Sequence, residues 1–149
     1  MTGRALTPAE VSLCRSVFGE AIDYDAVTIF NRRWWPFQKP RVTMAPDGNL
    51  WFHPKGELFC DDFCGSPRNI QALFIHEMVH VWQHQQGVFL PLARHPFARY
   101  DYILRPGKSF ARYGIEQQAE IVSHYFLLTT GARLKNGYGV ADYEGLLPF

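Results

Sequence analysis

His76-Glu77-Met78-Val79-His80 sets two imidazoles four residues apart, with a carboxylate beside the first. On a helix, residues four apart share one face, so both rings can address a single ion while Glu77 stands next to them. Zinc suits such a pair, because a neutral imidazole nitrogen is a good ligand for a borderline-soft cation. A catalytic zinc keeps one coordination position for water and lowers its pKa toward about 7, and Glu77 is then placed to act as general base. With 6 His and 7 Glu in 149 residues, shuffling would produce this pattern in roughly 1% of chains. Context strengthens it. The three polar residues interrupt an otherwise apolar run, Ala72 to Trp82, where an unpaired polar group costs about 1–3 kcal/mol. The competing reading is a set of core histidines bonded to backbone, with Glu77 paired to an arginine.

Two histidines and a water leave one ligand to find. Glu116-Gln117-Gln118-Ala119-Glu120 carries two carboxylates one turn apart on an otherwise apolar stretch. One can bind zinc while the other accepts a hydrogen bond from a ligating imidazole and holds its tautomer. The plainer alternative is a solvated helix edge with two acids near its N-terminus, where the helix dipole favours them. His80 and His84 form a second pair at the same spacing, but no acid occupies the base position between them. His124, four residues after Glu120, is the main non-Glu candidate for third ligand. His95, Tyr100, Tyr102, Arg112 and Tyr113 are candidates for stabilising a developing oxyanion.

These residues need elements to hold them. Thr7-Pro8-Ala9-Glu10 reads as a capped helix start, with Val11, Cys14 and Phe18 at helical spacing and Gly19 as the stop. Val27–Phe30, Arg41–Ala45 and Leu50–His53 read as strands, the last two joined by the turn Pro46-Asp47-Gly48-Asn49. Pro54 to Pro67 reads as loop. Ser66-Pro67 opens a long helix that reaches about Gln86 and stops at Gly87; its nearly all-round apolar middle predicts burial at the centre of the domain. Residues 88–112 are too punctuated by proline and glycine for a regular element. A last long helix runs from about Tyr113 to Thr130, and Gly137 to Phe149 forms a packed or loosely attached tail. The expectation is one α+β domain over residues 1–149: a small antiparallel sheet on a central helix carrying His76 and His80 (residues 1–87), then a loop, the Glu116 helix and the tail (88–149).

Length and composition exclude several classes. At 149 residues with 47% hydrophobic and 15% aromatic content, the chain can build a core and is not intrinsically disordered. Its net charge of +1 gives no global reason to bind nucleic acid or an anionic membrane. Asn31–Arg41 and Arg94–Arg112 do interleave basic and aromatic residues, a pattern able to bind single strands, but solvated loops with anchoring aromatics are the ordinary reading. No apolar run is long enough to span a membrane, and the N-terminus lacks a secretory apolar stretch, so a cytoplasmic protein is expected, signal-independent export aside. Three cysteines do not make a disulfide framework. Cys60 and Cys64 lack the second ligand pair of a structural zinc and are expected to be free buried thiols.

HExxH followed by a later helix reading ExxA[DE] resembles the gluzincin metallopeptidases, the thermolysin-like branch of the zincins. That resemblance implies Glu116 as third zinc ligand and Glu120 as the carboxylate supporting a ligating imidazole; the family more often has Asp at the second place. The LTPAE helix, NLWFHP, the DDF segment, QALFIHEMVHVWQHQ and IEQQAEIV are also similar to short bacterial Vgr-related proteins of metallopeptidase type, over most of the chain. The expected function is zinc-dependent hydrolysis of peptide or protein substrates with Glu77 as general base, an extended peptide adding to the sheet edge. The alternative is a zinc-binding interaction module with little turnover, tied to a secretion or phage-tail-like apparatus.

Overall fold

The computed structural model describes residues 3–90 and 99–149. Its sheet has three strands in the order β1 (Gly3–Ala5), β2 (Thr28–Phe30) and β3 (Leu50–Trp51). Arg4 lies opposite Ile29 in an antiparallel pairing, and Ile29 opposite Leu50 in a parallel one. The sheet is therefore small, as expected, but mixed. Leu50 follows the turn at Asp47–Asn49, where Asp47 Oδ1 accepts from Trp51 Nε1 (2.9 Å) and Asn49 Oδ1 accepts from Thr28 N (2.9 Å). These two side chains fix the register of β3 on β2.

Two expectations change here. Arg41–Ala45 is not a strand: only Met44 pairs, in a single antiparallel bridge to Trp51. Pro40 offers no N–H on entry, and the buried Gln38 amide donates to Val42 O (2.8 Å) and Trp51 O (2.9 Å), taking the place of a ladder. The strand that completes the sheet, β1, is only three residues long and begins with glycine, too short to show a period of two.

Helix α1 (Pro8–Phe18) begins with a capping box: Glu10 N donates to Thr7 Oγ1 at 3.0 Å and Thr7 N to Glu10 Oε1 at 2.9 Å. Glu10 does more than cap. Fully buried, it takes both guanidinium nitrogens of Arg4 (2.8 and 2.9 Å) and the Phe63 N–H (2.8 Å). One carboxylate thus ties β1, α1 and the helical turn Phe63–Gly65 together.

Helix α2 (Arg68–Gln85) starts after Pro67 and ends as Gly87 turns to φ 94°. Phe74, Ile75, Met78, Val79 and Val81 are fully buried, so α2 runs through the centre as its composition predicts. Toward the sheet, Phe74 stacks on Phe63 (4.9 Å) and Phe63 on Phe52 (5.3 Å). On its other side lies α3 (Ile115–Thr129), burying Ala119, Ile121, Val122 and Phe126, with Ser123 Oγ donating to Ala72 O at 3.0 Å. The tail is packed rather than loose. A short helix, α4 (Val140–Tyr143), inserts Tyr143, and Phe149 meets Phe18 and Trp82 edge-on at 5.0 and 5.2 Å. No helix of the described residues is long and apolar enough to cross a membrane.

Because Glu10→Ala strands the Arg4 charge and a buried N–H together, it should cost roughly 3 kcal/mol. Urea unfolding would register this as a lower midpoint with an unchanged slope; an unaltered midpoint would show that the tie carries no stability.

Candidate metal centre

The buried face of α2 carries His76, Glu77, His80 and Gln83; Glu116, on the first turn of α3, faces them and is 1% exposed. His80 Nε2 lies 2.8 Å and His76 Nε2 3.2 Å from the same atom, Glu116 Oε1. Ligand atoms of these three residues all fall within 4.8 Å of one another. The i, i+4 spacing aligns the two rings, and the packing of α3 on α2 delivers the carboxylate.

The other ring nitrogens determine what this cluster can hold. His76 Nδ1 donates to Glu120 Oε1 at 2.8 Å, and His80 Nδ1 to Gln83 Oε1 at 2.8 Å. The Gln83 amide has its orientation settled by its own donations, from Nε2 to Ile115 O (3.1 Å) and Gln118 Oε1 (3.0 Å), while Gln118 in turn donates to Tyr113 O (2.9 Å). With both Nδ1 atoms donating, neutral imidazoles direct two lone pairs at the oxygen of a carboxylate. Three acceptors meeting in a buried place require positive charge between them, either as protons or as a metal ion. The donor set of two imidazole nitrogens and one carboxylate oxygen therefore fits a zinc-type cation.

The local field has the same preference. Burial opposes charge on His76, but hydrogen bonds to Glu116 and Glu120 and the nearby Glu77 outweigh it and raise the pKa to about 10. Burial likewise opposes charge on Glu120, yet hydrogen bonds from His124 and His76 lower it to about 2. The acids of this pocket stabilise positive charge wherever it is offered.

His76 and Glu77 open onto a cleft of about 440 Å3 between α2, α3 and residues 41–43, bordered also by Tyr100, Glu120 and His124. Tyr100 lies over His76, ring centroids 6.0 Å apart and 17° from parallel. Of the other oxyanion candidates, Tyr102 bonds His124 and Tyr143, Tyr113 accepts from Arg105 N, and Arg112 is exposed outside the cleft lining. His95, and Arg94 at the start of the second basic stretch, lie outside the described residues. His84 is exposed against Gly48, away from the cluster, and His124 bonds Glu120 instead of joining it. Cys60 and Cys64 are free thiols but half-buried, Cys60 touching Ser66 Oγ. In Asn31–Arg41 the aromatics do not anchor: Trp34, Trp35 and Phe37 are exposed, and Gln38 holds the loop in their place. Gln83 and Gln118, which bond outward from His80, are positions that motif reading passes over. The one sequence signal is that Gln83 falls three residues after His80, on its face.

No family model matches the chain. Over 148 residues it is 43% identical to the type VI secretion system spike protein VgrG2b of Pseudomonas aeruginosa, covering 94% of this chain and 14% of that protein. The solved effector domain of Pseudomonas aeruginosa VgrG2b superposes with a TM-score of 0.83 at 38% identity, covering 97% of this chain and 84% of the other.

Zinc at 100 times its Kd should add about 2.7 kcal/mol of stability. For a chain of this size that means a rise in Tm of about 5–10 °C, absent in His76→Ala and His80→Ala. Gln83→Leu should weaken zinc binding by about 10–100-fold, measured against a competing chelator. Equal shifts in wild type and both histidine variants would put the ion elsewhere.

Proposed function

The chain belongs to the family of the VgrG2b effector domain, and on that premise we propose that it is a zinc-dependent peptidase acting as the effector portion of a type VI secretion spike. It spans about 14% of that spike protein's length, so delivery by a secretion apparatus is part of the proposal. The observation that carries the peptidase reading is the meeting of His76 Nε2, His80 Nε2 and Glu116 Oε1 directly beside a cleft that Glu77 lines.

In this reading His76, His80 and Glu116 hold zinc, and Glu120 and Gln83 keep the two imidazoles in the ligating tautomer. A zinc ion held there supplies Lewis acidity toward a peptide carbonyl and acidifies water near neutral pH. Glu77 accepts a proton from the attacking water and returns it to the amine nitrogen as the C–N bond breaks, so the proton count balances. The cleft, open along α2 and α3, accepts an extended polypeptide. Tyr100, over His76 at the cleft edge, is the oxyanion candidate this reading favours, because it borders the cleft beside a ligating ring. The carboxylate of Glu77 is buried on a rigid helix, which holds it in one position relative to the ligating rings.

Glu77→Gln separates an enzyme from a zinc-binding module with little turnover. Cleavage of a random peptide library, followed by mass spectrometry, should fall by about 10^2-fold or more, with zinc content unchanged near one per chain. Undiminished cleavage by Glu77→Gln would remove Glu77 from the chemistry, and a wild-type chain that takes up no zinc would end the proposal.

A further inference from the structure

A line of hydrogen bonds leaves the back of the metal centre and ends in the C-terminal segment. Glu120 Oε1 holds His76 Nδ1 at 2.8 Å, and Glu120 Oε2 meets His124 Nε2 at 3.2 Å. His124 Nδ1 lies 2.6 Å from the Tyr102 hydroxyl, which lies 2.6 Å from the hydroxyl of Tyr143 on α4. Asn136 Nδ2 closes the line at 3.4 Å from the Tyr143 hydroxyl.

The direction of each bond follows from its inner end. The Glu120 carboxylate only accepts, so His124 Nε2 carries the ring proton that faces it. In that tautomer Nδ1 is a lone pair and accepts from the Tyr102 hydroxyl. With its one proton used, Tyr102 accepts from Tyr143. Asn136 Oδ1 accepts from Tyr138 N at 3.0 Å, which turns its amide nitrogen toward the Tyr143 oxygen. Each carboxylate oxygen of Glu120 consequently receives an imidazole N–H, one from His124 and one from His76. Tyr143 is fully buried, and its ring packs beside Tyr138 and Tyr125, so the outer end of the line is held by packing.

Resting on the metal-site reading above, we infer that His124, Tyr102 and Tyr143 form a positioning relay through which the C-terminal segment orients Glu120 and thereby keeps His76 in its ligating tautomer. None of these three residues belongs to the His76, His80 and Glu116 cluster. Glu120 on a flexible side chain has several rotamers; with both oxygens engaged it has one. The C-terminal segment is then part of the metal centre, although it touches it only through three intermediates.

The test is zinc affinity of the full chain, measured with a competing chelator, together with the visible spectrum of the Co2+-loaded protein as a report of ligand geometry. His124→Ala should weaken zinc binding about tenfold, the low end for residues supporting a ligand. Tyr102→Phe, nearly isosteric, should weaken it in the same direction. His124→Gln, whose amide can still donate to Glu120, should recover most of the loss. In the Glu120→Ala background, His124→Ala should change affinity no further, because its effect passes through that carboxylate. A purely structural role would instead lower affinity equally in both backgrounds and leave the Co2+ spectrum unmoved, overturning the relay. Zinc affinity within twofold of wild type in both His124→Ala and Tyr102→Phe would overturn it as well, while leaving the zinc peptidase reading intact. A wild-type chain without zinc affinity would overturn both.

Discussion

Where α3 crosses α2, two imidazole lone pairs and a carboxylate oxygen meet at 2.8 and 3.2 Å inside the protein. Acceptor groups do not share a buried place without protons or a cation between them, so this crossing is the constraint that the rest of the molecule must satisfy. α2 is buried along its length to present its polar face inward, and α3 is locked to it by Ala119, Val122 and the Ser123 bond to Ala72 O. A shift of one residue along α3 would rotate Glu116 by about 100° and dissolve the cluster.

The surroundings divide into two supports. On the sheet side, Glu10 binds Arg4, its own helix start and Phe63, and the stacked rings of Phe52, Phe63 and Phe74 carry that order to the back of α2. On the α3 side, glutamines and tyrosines extend the hydrogen bonding outward: Gln118 bonds Gln83, Gln83 bonds His80, and a tyrosine line connects to His76 through Glu120. Apolar packing holds the helices at the right depth, and directional bonds hold the rings at the right angle. A metal site requires both, since ligation tolerates only small errors in distance and ring rotation.

The similarity to the effector domain of VgrG2b covers nearly the whole chain, so the fold and the crossing of the two helices belong to a shared architecture. Bordering the cleft is the loop that ends in Arg41–Thr43, with Trp34, Trp35 and Phe37 in solvent and Gln38 anchored inside. Burying an amide and exposing three aromatics inverts the usual order of cost, and Gln38 manages it by saturating three backbone groups at once.

Much of the site was legible in the residues themselves. The spacing of His76, Glu77 and His80 is a property of one helix, as is the one-turn separation of Glu116 and Glu120, and α1 and α2 announce their ends through Thr7, Gly19, Pro67 and Gly87. Local period and local capping depend on neighbours in sequence, and sequence states them directly. It left open which acid meets both imidazoles, because either carboxylate sits on the same face of α3; the depth and rotation of α3 on α2 decide that Glu116 does and that Glu120 stands behind His76. The same holds for β1, for the failure of residues 41–45 to form a strand, and for the bonds linking Tyr143, 67 positions away, to His76. Those features arise from contacts between segments remote in the chain, whose geometry exists only once the core has packed.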